Sequence, residues 1–509
     1  MKDELRLQRR TFLSLAGVGA ASAFLAACGV GGGDPKAARS ALNACFAQPI
    51  TDLDPLSPTT TVDEGALMVR RLIFDTLVHR DGETFVPALA TKWTQPDPNT
   101  WLFTLRGDVK FHDGTPLTAK DVAASVNKVA KDTTNLKALW TAVTGAEAVD
   151  DTTVKITTSS PLGTMLVNLT LLFIAPADKL GNADFFRKPV GSGPYRVESF
   201  TPSLKLSLVK ADNYWGTPAA NTAITVPYIA ETSTAITSVL NGDVDAFWPV
   251  PPDQVADVTG KKGVKVERLP SYVYFLNWFN SSRAPFTDPR VRRALWHAVD
   301  VAGIVKNLYG EAATVMDAPI PSAVFGSAAQ TPYAYDPDKA KALLTEAGLG
   351  GGFNSSMMWF ATNGPLITEL AQALISGWAK VGVKVEPQQI EKATWLDRLN
   401  KLDWDMDLQT NTVTTGDADF TLGRLYASTA NRMGYKNLAL DKVLADARAS
   451  LDQAERKRLY AQACKTIWDD AVGIFPATIT TAYAVSTSMQ GFTPVPSNQP
   501  DLSVVTVAG

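Results

Sequence analysis

One stretch near the middle of the chain constrains the fold more than any other. Residues 271–300 read SYVYFLNWFNSSRAPFTDPRVRRALWHAVD. The segment from Tyr272 to Phe279 is aromatic and β-prone without clear alternation, which is typical of a strand buried on both faces. A helix is predicted directly after it, with Thr287 as its N-cap and Pro289 just inside. We interpret the strand as the passage of the chain from one lobe into a second, with a ligand cleft between them.

Length and composition limit the classes of protein to consider. The chain has 509 residues, more than one hydrophobic core usually supports, so two or more domains are expected. The formal net charge is -3 and the sequence lacks long runs of basic residues, which argues against a nucleic-acid partner. Three cysteines and three histidines leave little material for a metal site, and no cofactor is predicted.

The N-terminus has the composition of an export signal. A basic segment is followed by an apolar stretch over residues 12–27, which is short for a membrane-spanning helix, so residues 1–27 are predicted to be a signal peptide. Arg9 and Arg10, followed by TFL, resemble the twin-arginine signal, although Gln8 departs from that pattern, and the export route stays open. The sequence LAAC ending at Cys28 resembles a bacterial lipobox, so Cys28 is expected to be lipidated.

The lipid on Cys28 would hold the protein at the outer face of the cytoplasmic membrane. Residues 28–40 contain a glycine-rich run and would form a flexible tether with a reach of roughly 20 Å. Two further thiols remain, Cys45 in a predicted first strand and Cys464 in a late helix. They either form a disulfide or stay buried and free, and the sequence leaves both alternatives open.

Several segments carry a family resemblance as a set. They are LDP at 53–55, DTLV at 75–78, PALATKW at 87–93, WLFTLRGDVKFHDGTPLTAKDV at 101–122, VGSGPYRV at 190–197, APFTDPRVRRALWHAVD at 284–300 and YDPDKAKALLTEAG at 335–348. In this order they resemble the signature segments of family-5 extracytoplasmic solute-binding proteins, the dipeptide, oligopeptide and nickel binders of ABC importers. By themselves, Gly191 and Gly193 in VGSGPYRV predict a turn whose backbone angles a Cβ would forbid, with direct ligand contact as the alternative.

The resemblance implies an α/β fold of the periplasmic-binding-protein type, with two lobes joined by two crossing strands. It is the type II arrangement of the large cluster, in which the first lobe carries an extra subdomain. The alternation of helices and strands after residue 287 independently predicts a mostly parallel sheet in the second lobe. The predicted division is lobe I at 41–71, 188–276 and 478–509, the extra subdomain at 72–187, and lobe II at 277–477.

The resemblance also places the candidate ligand contacts along the lobe boundary. They are Trp248, Tyr274, Trp278, Asn280, Asn411, Thr412 and Asp417. Peptide binders of the family usually hold the peptide amine with an aspartate in the loop at 410–419, and alignment on Phe420 places Val413 there. Asp417 or Asp419 would take over that role if the loop were displaced.

Without that aspartate, a buried ammonium would cost several kcal/mol, which disfavours charged peptide termini. Tryptophans could instead offer flat faces to sugar rings or apolar side chains. The candidates are Trp248, Trp278, Trp359, Trp395 and Trp404. A peptide, an oligosaccharide and another small organic solute therefore remain as alternative ligands.

The function favoured by these observations is a monomeric, membrane-tethered receptor. It would close over a solute and deliver it to an ABC permease and its ATPase. An exported hydrolase is the alternative from another class, but the sequence contains neither GxSxG nor HExxH and its histidines are isolated, so no enzyme activity is predicted. A surface sensor with the same fold is the third alternative.

Overall fold

The structure is a computed structural model that describes residues 41–57, 60, 63–132, 136–360 and 365–508. The predicted signal peptide, Cys28 and the tether lie outside these residues. The helices are α1 (Glu64–Ile73), α2 (Ala119–Lys131), α3 (Met165–Leu169), α4 (Thr232–Asn241), α5 (Val255–Val258), α6 (Pro289–His297), α7 (Val301–Tyr309), α8 (Pro337–Glu346), α9 (Pro365–Ala379), α10 (Lys392–Lys401), α11 (Ala418–Tyr426), α12 (Leu438–Ala449) and α13 (Gln453–Asp469).

The strands alternate with these helices through most of the chain. They are β1 (Ala41–Phe46), β2 (Val78–Asp81), β3 (Thr84–Pro87), β4 (Ala90–Asp97), β5 (Thr100–Leu105), β6 (Val143–Ala148), β7 (Thr153–Thr158), β8 (Tyr195–Thr201), β9 (Lys205–Lys210), β10 (Ala223–Pro227), β11 (Ala246–Val250), β12 (Val264–Phe279), β13 (Ala313–Val315), β14 (Phe353–Phe360), β15 (Val383–Ile390), β16 (Met406–Thr412), β17 (Gly473–Ile474), β18 (Ala477–Ser486), β19 (Met489–Gln490) and β20 (Thr506–Val507).

One 12-stranded sheet runs through the molecule in the order β15-β14-β16-β12-β18-β11-β1-β10-β9-β8, with β13 beside β18 and β17 beside β12. The strand predicted at 272–279 is the second half of β12, which begins at Val264. The first half of β12 pairs with β18 and the second half pairs with β16. The sheet therefore has two halves crossed by β12 and β18, which is the two-lobed α/β architecture expected from the sequence.

The strand directions place two sets of carboxyl ends face to face. In one half β1 is parallel to β10 and β11, and in the other half β14 is parallel to β15 and β16. From β11 to β18, from β18 to β12 and from β12 to β16, each neighbouring pair is antiparallel. The parallel strands of one half therefore run opposite to those of the other half. As a result, the carboxyl ends of β11 and β16 point towards each other across β12 and β18.

A smaller unit lies within residues 72–187. It contains the hairpin β2-β3 and a four-stranded sheet in the order β4-β5-β7-β6. Helix α2 covers this sheet with Val122, Val126 and Val129, which are fully buried. Thr118 caps the helix, since Lys120 N donates to its side chain at 3.3 Å and Asp121 completes a capping box.

The helical region after β12 differs from the sequence prediction. The sequence predicts one helix directly after this strand, and the structure has two, α6 and α7. The N-cap of α6 is Asp288 rather than Thr287, because the Asp288 carboxylate accepts from Arg290 N at 2.8 Å. Asp300 then accepts from Gly303 N at 2.9 Å and starts α7. A second capping aspartate thus divides the predicted helix.

The DTLV motif supplies a buried carboxylate that joins distant segments. Asp75 accepts hydrogen bonds from Ser192 Oγ at 2.8 Å, Trp215 Nε1 at 2.9 Å and Tyr214 OH at 3.2 Å. Burial raises the pKa of Asp75 to about 6, and the three donors oppose that shift. The motif therefore has a structural role in this protein.

The glycines of VGSGPYRV are required for a different reason than predicted. Neither Gly191 nor Gly193 has a positive φ. Instead both pack on the end of α1, where an added Cβ would lie 2.8 Å and 2.7 Å, respectively, from the carbonyl carbon of Ile73. The ring of His112 fixes the same turn, since its Nε2 lies 2.9 Å from Gly193 O and its Nδ1 accepts from Gly191 N at 3.2 Å. Close packing thus explains the motif.

Cys45 and Cys464 are both buried and free. Burial raises the pKa of Cys45 to about 11 and that of Cys464 to about 12. The structure therefore decides between the two alternatives in favour of separate, unreactive thiols.

Candidate ligand-binding cleft

The carboxyl ends of β11 and β16 face each other and leave a gap over β12 and β18, the strands that cross between the two halves of the sheet. Val250, at the end of β11, pairs with Ala482 of β18, which pairs with Arg268 of β12. Thr412, at the end of β16, pairs with Val273 of β12. Five residue steps along β12 separate these positions, or roughly 17 Å at the usual strand rise. Because ligands bind outside the carboxyl ends of parallel strands in open α/β sheets, this gap is the candidate cleft.

A polar cluster on β12, β16 and α11 borders the cleft on one side. Tyr274 and Asn411 are directly paired across the two strands. Asn411 Nδ2 lies 3.3 Å from Tyr274 OH and 3.4 Å from Thr421 Oγ1. Asn411 and Thr412 are half-buried, whereas Tyr274 is fully buried. Asn411 therefore stands at the margin of the polar cluster, one residue before the strand ends.

Arg424 on α11 contributes the positive charge of this cluster. Its Nη2 donates to Asn411 Oδ1 at 3.4 Å and its Nε donates to Phe420 O at 3.1 Å. The guanidinium carbon lies 4.7 Å from the centre of the Phe420 ring. The pKa of Arg424 is lowered to about 10, chiefly by burial and also by repulsion from Arg432, while Tyr274 opposes the shift. Among the described residues, no carboxylate forms an ion pair with Arg424.

Further along the same face of β16 lies a buried acid. Asp407 and Gln409 alternate with Asn411 on this face. The Asp407 carboxylate accepts from Trp395 Nε1 and from Gln409 Nε2, each at 2.6 Å. Burial raises the pKa of Asp407 to about 7, against the effect of these two donors. This face of β16 therefore carries polar side chains not only at Asn411, near the end of the strand, but also at the buried positions 407 and 409.

In the other half of the molecule, a half-buried acid, Glu64, lies at the start of α1. Glu64 Oε2 accepts from Asn498 Nδ2 at 3.1 Å. Burial raises the pKa of Glu64 to about 7, Asn498 opposes this shift, and Asp63 adds to it. In the described part of the chain, no Lys, Arg or His forms an ion pair with Glu64. The loop that contains Asn498 also reaches β12, since Tyr272 N donates to Pro496 O at 2.8 Å.

The structure places Trp248 in the core of the first half. Its side chain is fully buried, with its ring centre 5.7 Å from that of Phe46 and 6.0 Å from that of Tyr483. Its Nε1 donates to Asn498 O at 3.0 Å. Trp248 thus positions the loop that holds Glu64.

Trp278 and Asn280 lie at the far end of β12, away from Tyr274 and Asn411. Trp278 Nε1 donates to Tyr426 OH at 3.2 Å. Asn280 Nδ2 donates to Leu402 O at 3.0 Å and to Trp404 O at 2.8 Å. The polar groups of both side chains are therefore used inside the second half of the sheet.

Ion pairs within residues 277–477 hold the loop that follows β16. The Asp417 carboxylate pairs with Arg456 Nη2 at 2.8 Å, and both side chains are buried. Asp419 pairs with Arg448 Nε at 3.0 Å. Val413 is fully buried. The charges of both aspartates are thus compensated in the loop, where the usual amine-binding aspartate of the family was expected.

The tryptophans do not present open faces to the cleft. The five residues considered as sugar-stacking candidates are each 7% exposed or less: Trp248, Trp278, Trp359, Trp395 and Trp404. Sequence reasoning missed the two charged groups, Arg424 and Glu64. Neither lies in a sequence motif that would distinguish it from an Arg or Glu on the surface. The structure singles them out because both are partly buried and neither has an ion-pair partner among the described residues.

Contacts between residues 72–187 and residues 277–477 bridge the cleft at its periphery. Arg80 Nη1 donates to Thr415 O at 2.8 Å, and Gly163 N donates to Arg448 O at 2.7 Å. An ion pair joins Lys457 Nζ to Glu83 Oε2 at 2.5 Å. The two sides of the candidate cleft are therefore drawn together in this structure.

No cluster of three or more His, Cys, Asp or Glu side chains suited to a metal ion occurs among the described residues. Nor does any helix formed by these residues combine the length and apolar character that a membrane span requires.

This two-lobed arrangement, with a cleft over crossing strands, defines a periplasmic-binding-type solute receptor, and comparison with known proteins places it more closely. The family model for bacterial extracellular solute-binding proteins, family 5 middle, matches residues 84–433, more than half of the chain. The chain belongs to this family. The glutathione-binding protein GsiB of Pectobacterium atrosepticum is 30% identical over 428 residues, which cover 79% of this chain and 81% of that protein.

Solved structures agree with the fold. DppA from Helicobacter pylori, a periplasmic binding protein in complex with the peptide STSA, is 25% identical with a TM-score of 0.78, over 93% of this chain and 99% of that one. The substrate-binding protein CtaP from Listeria monocytogenes is 23% identical with a TM-score of 0.82, over 92% and 99% of the two chains.

Proposed function

We propose that this protein captures a peptide-like organic solute in the cleft between its lobes and delivers it to an ABC permease. The observation that carries the proposal is the meeting of two sets of strand carboxyl ends over the crossing strands β12 and β18. Such a crossing allows hinge motion, because β12 and β18 are the two strands shared by both halves of the sheet in the described part of the chain. The relatives that bind glutathione and the peptide STSA support a peptide-like ligand.

Of the predicted contacts, we propose that Asn411 and Thr412 face the ligand, since they are half-buried where β16 ends, and that the fully buried Tyr274 positions Asn411 through its hydroxyl. Trp248 and Asp417 support the loops on either side, as their hydrogen bond and ion pair indicate. A neutral oligosaccharide is less favoured, because the candidate tryptophans are buried and the cleft borders contain charged groups instead.

The capture mechanism follows from the arrangement of the lobes. A ligand that contacts both sides stabilises the closed form only to the extent that it binds this form more tightly than the open one. The peripheral contacts of residues 72–187 with lobe II would then form on closure. The proposed division is the one given by the sequence, with lobe I at 41–71, 188–276 and 478–509 and lobe II at 277–477.

The protein would act outside the cytoplasm as a monomer, attached to the membrane by the lipid on Cys28. The lipobox-like sequence before Cys28 supports this attachment, and mass spectrometry of the native N-terminus tests it. Residues 1–27 would direct export and be removed. A Cys28→Ser variant that stays in the membrane fraction would contradict the lipid anchor.

Binding is tested by calorimetry on the mature protein with a defined panel of glutathione, the peptide Ser-Thr-Ser-Ala and maltotriose. We expect saturable binding of at least one peptide and none of the sugar. Small-angle X-ray scattering should show that this peptide makes the protein more compact. Binding of the sugar alone, or of no peptide, would contradict the proposal. A peptide that binds without compaction would contradict the closure mechanism.

A further inference from the structure

The buried arginines of this protein differ in how their charge is compensated. The buried Arg70 and Arg456 and the partly exposed Arg448 each have a carboxylate oxygen within 3.0 Å. Arg292 is buried as well, and it donates instead to the carbonyl oxygens of Phe286 and Asp470. Arg424 is half-buried, no carboxylate in the described ranges pairs with it, and desolvation lowers its pKa. An arginine buried without a counter-charge carries a desolvation cost that a bound anion would offset.

The position of Arg424 suits an anion that enters from the cleft. Described residues accept from only two of its five N–H groups, those on Nε and Nη2. The acceptor of the Nη2 group is Asn411, which stands one residue before the carboxyl end of β16. The Phe420 ring supports one face of the guanidinium. A planar fork held from one side is well arranged to bind a carboxylate with two parallel hydrogen bonds.

Glu64 is the complementary group on the other side. It belongs to the first turn of α1, after the carboxyl end of β1, and the loop of its partner Asn498 contacts Tyr272 at the cleft floor. Tyr272 is two residues from Tyr274, which pairs with Asn411. Glu64 is thus linked to Tyr272 through the loop of Asn498, and Arg424 is linked to Tyr274 through Asn411. Both charged groups therefore approach residues 272–274 of β12, from opposite halves of the molecule.

We propose that Arg424 binds the carboxylate of the ligand and Glu64 binds its ammonium group, so that the acidic end of the ligand lies on lobe II. This assignment rests on the proposed function. It replaces the amine-binding aspartate that the loop at 410–419 lacks with an acid from the opposite lobe. With this pair, a cleft without that aspartate would accept charged peptide termini.

The test combines changes in the ligand with changes in the protein. The probes are Ser-Thr-Ser-Ala, its C-terminal amide and its N-acetyl form, measured by calorimetry. In the wild type, amidation should weaken binding about 10- to 100-fold, the loss expected for charge-assisted hydrogen bonds. In Arg424→Gln the acid and the amide should bind within about threefold of each other, while Arg424→Lys should retain part of the discrimination.

Arg432→Gln is the matched control, because Arg432 lies near Arg424 and contacts Asn400 rather than the polar cluster. It should discriminate the acid from the amide as the wild type does. Glu64→Gln should selectively remove the effect of N-acetylation. A structural role for either residue would weaken all probes equally, and this result would overturn the assignment.

The failures of the two proposals are distinguishable. If the wild type binds the acid and the amide equally well, the carboxylate assignment is wrong and the proposed function stands. If the wild type binds neither these probes nor glutathione, both are refuted. Circular dichroism and thermal melting of each variant confirm that it is folded before its affinity is compared.

Discussion

The contact at Gly163 gives the sharpest test of closure. Gly163 N donates to Arg448 O at 2.7 Å, from a residue in 72–187 to one in 277–477. A Cβ on Gly163 would overlap the Ser450 carbonyl oxygen and lie 2.7 Å from its carbonyl carbon. These are backbone atoms, which cannot rotate away as a flexible side chain would. Gly163→Ala should therefore prevent the closed contact while leaving an open form undisturbed.

The expected magnitude follows from two contributions. Loss of the backbone hydrogen bond costs about 1 kcal/mol. Accommodation of an extra methyl group in a packed contact costs about 1–3 kcal/mol. Together they disfavour the closed form by about 2–4 kcal/mol, which would raise the apparent Kd about 30- to 700-fold.

The assay is calorimetry with the peptide that the wild type binds, together with small-angle scattering. Gly107→Ala is the control, because an added Cβ there has no neighbour within 4 Å and Gly107 has no positive φ. Both variants lose the same backbone freedom in the unfolded state. The reasoning is refuted if Gly163→Ala binds within twofold of the control. A lower Tm of ligand-free Gly163→Ala than of the control would show that the contact is permanent and not formed on closure.

Three further predictions concern stability and the thiols. Asp417→Asn leaves Arg456 buried without its counter-charge and should lower the free energy of unfolding in urea by about 3–5 kcal/mol; an unchanged midpoint would contradict this. Because burial raises the pKa of Glu64 to about 7, the folded state holds its proton more tightly, and the free energy of unfolding should fall as the pH rises from about 4 to 7. Melting curves of Glu64→Gln should show a smaller fall, and curves parallel to the wild type would count against it. Cys45 and Cys464 should resist a thiol reagent in the folded protein, and both should react in urea without reductant; failure of both to react in urea would indicate a disulfide.

Much of the architecture could be predicted from local patterns. The buried strand of β12, the capping box at Thr118 and the return strand β18 each have a signal in a short window of sequence. Local signals also led to errors where two were close together. Thr287 and Asp288 both suit an N-cap, and only the structure shows which accepts the hydrogen bond. Asp300 divides a helix that the apolar spacing alone would continue.

The candidate site was predicted less well, because its chemistry depends on partners far apart in the chain. The family resemblance placed Asn411 and Thr412 in a loop at 410–419, whereas in the structure they are the last two residues of strand β16. Trp248 could not be recognised as a core residue, because its neighbours Phe46 and Tyr483 come from distant segments. Gly191 and Gly193 were recognised as essential, but the carbonyl of Ile73 that requires them was not visible from sequence.

By itself the sequence determined the class of fold, the family and the order of elements, because hydrophobic pattern, caps and family segments are encoded within short stretches. Only the tertiary structure decided which charges are compensated. Arg456 and Arg424 are the same kind of residue in similar helices, yet one is paired with Asp417 and the other has no carboxylate partner among the described residues. The physical reason is that desolvation and pairing depend on three-dimensional neighbours, which residue type and spacing do not specify.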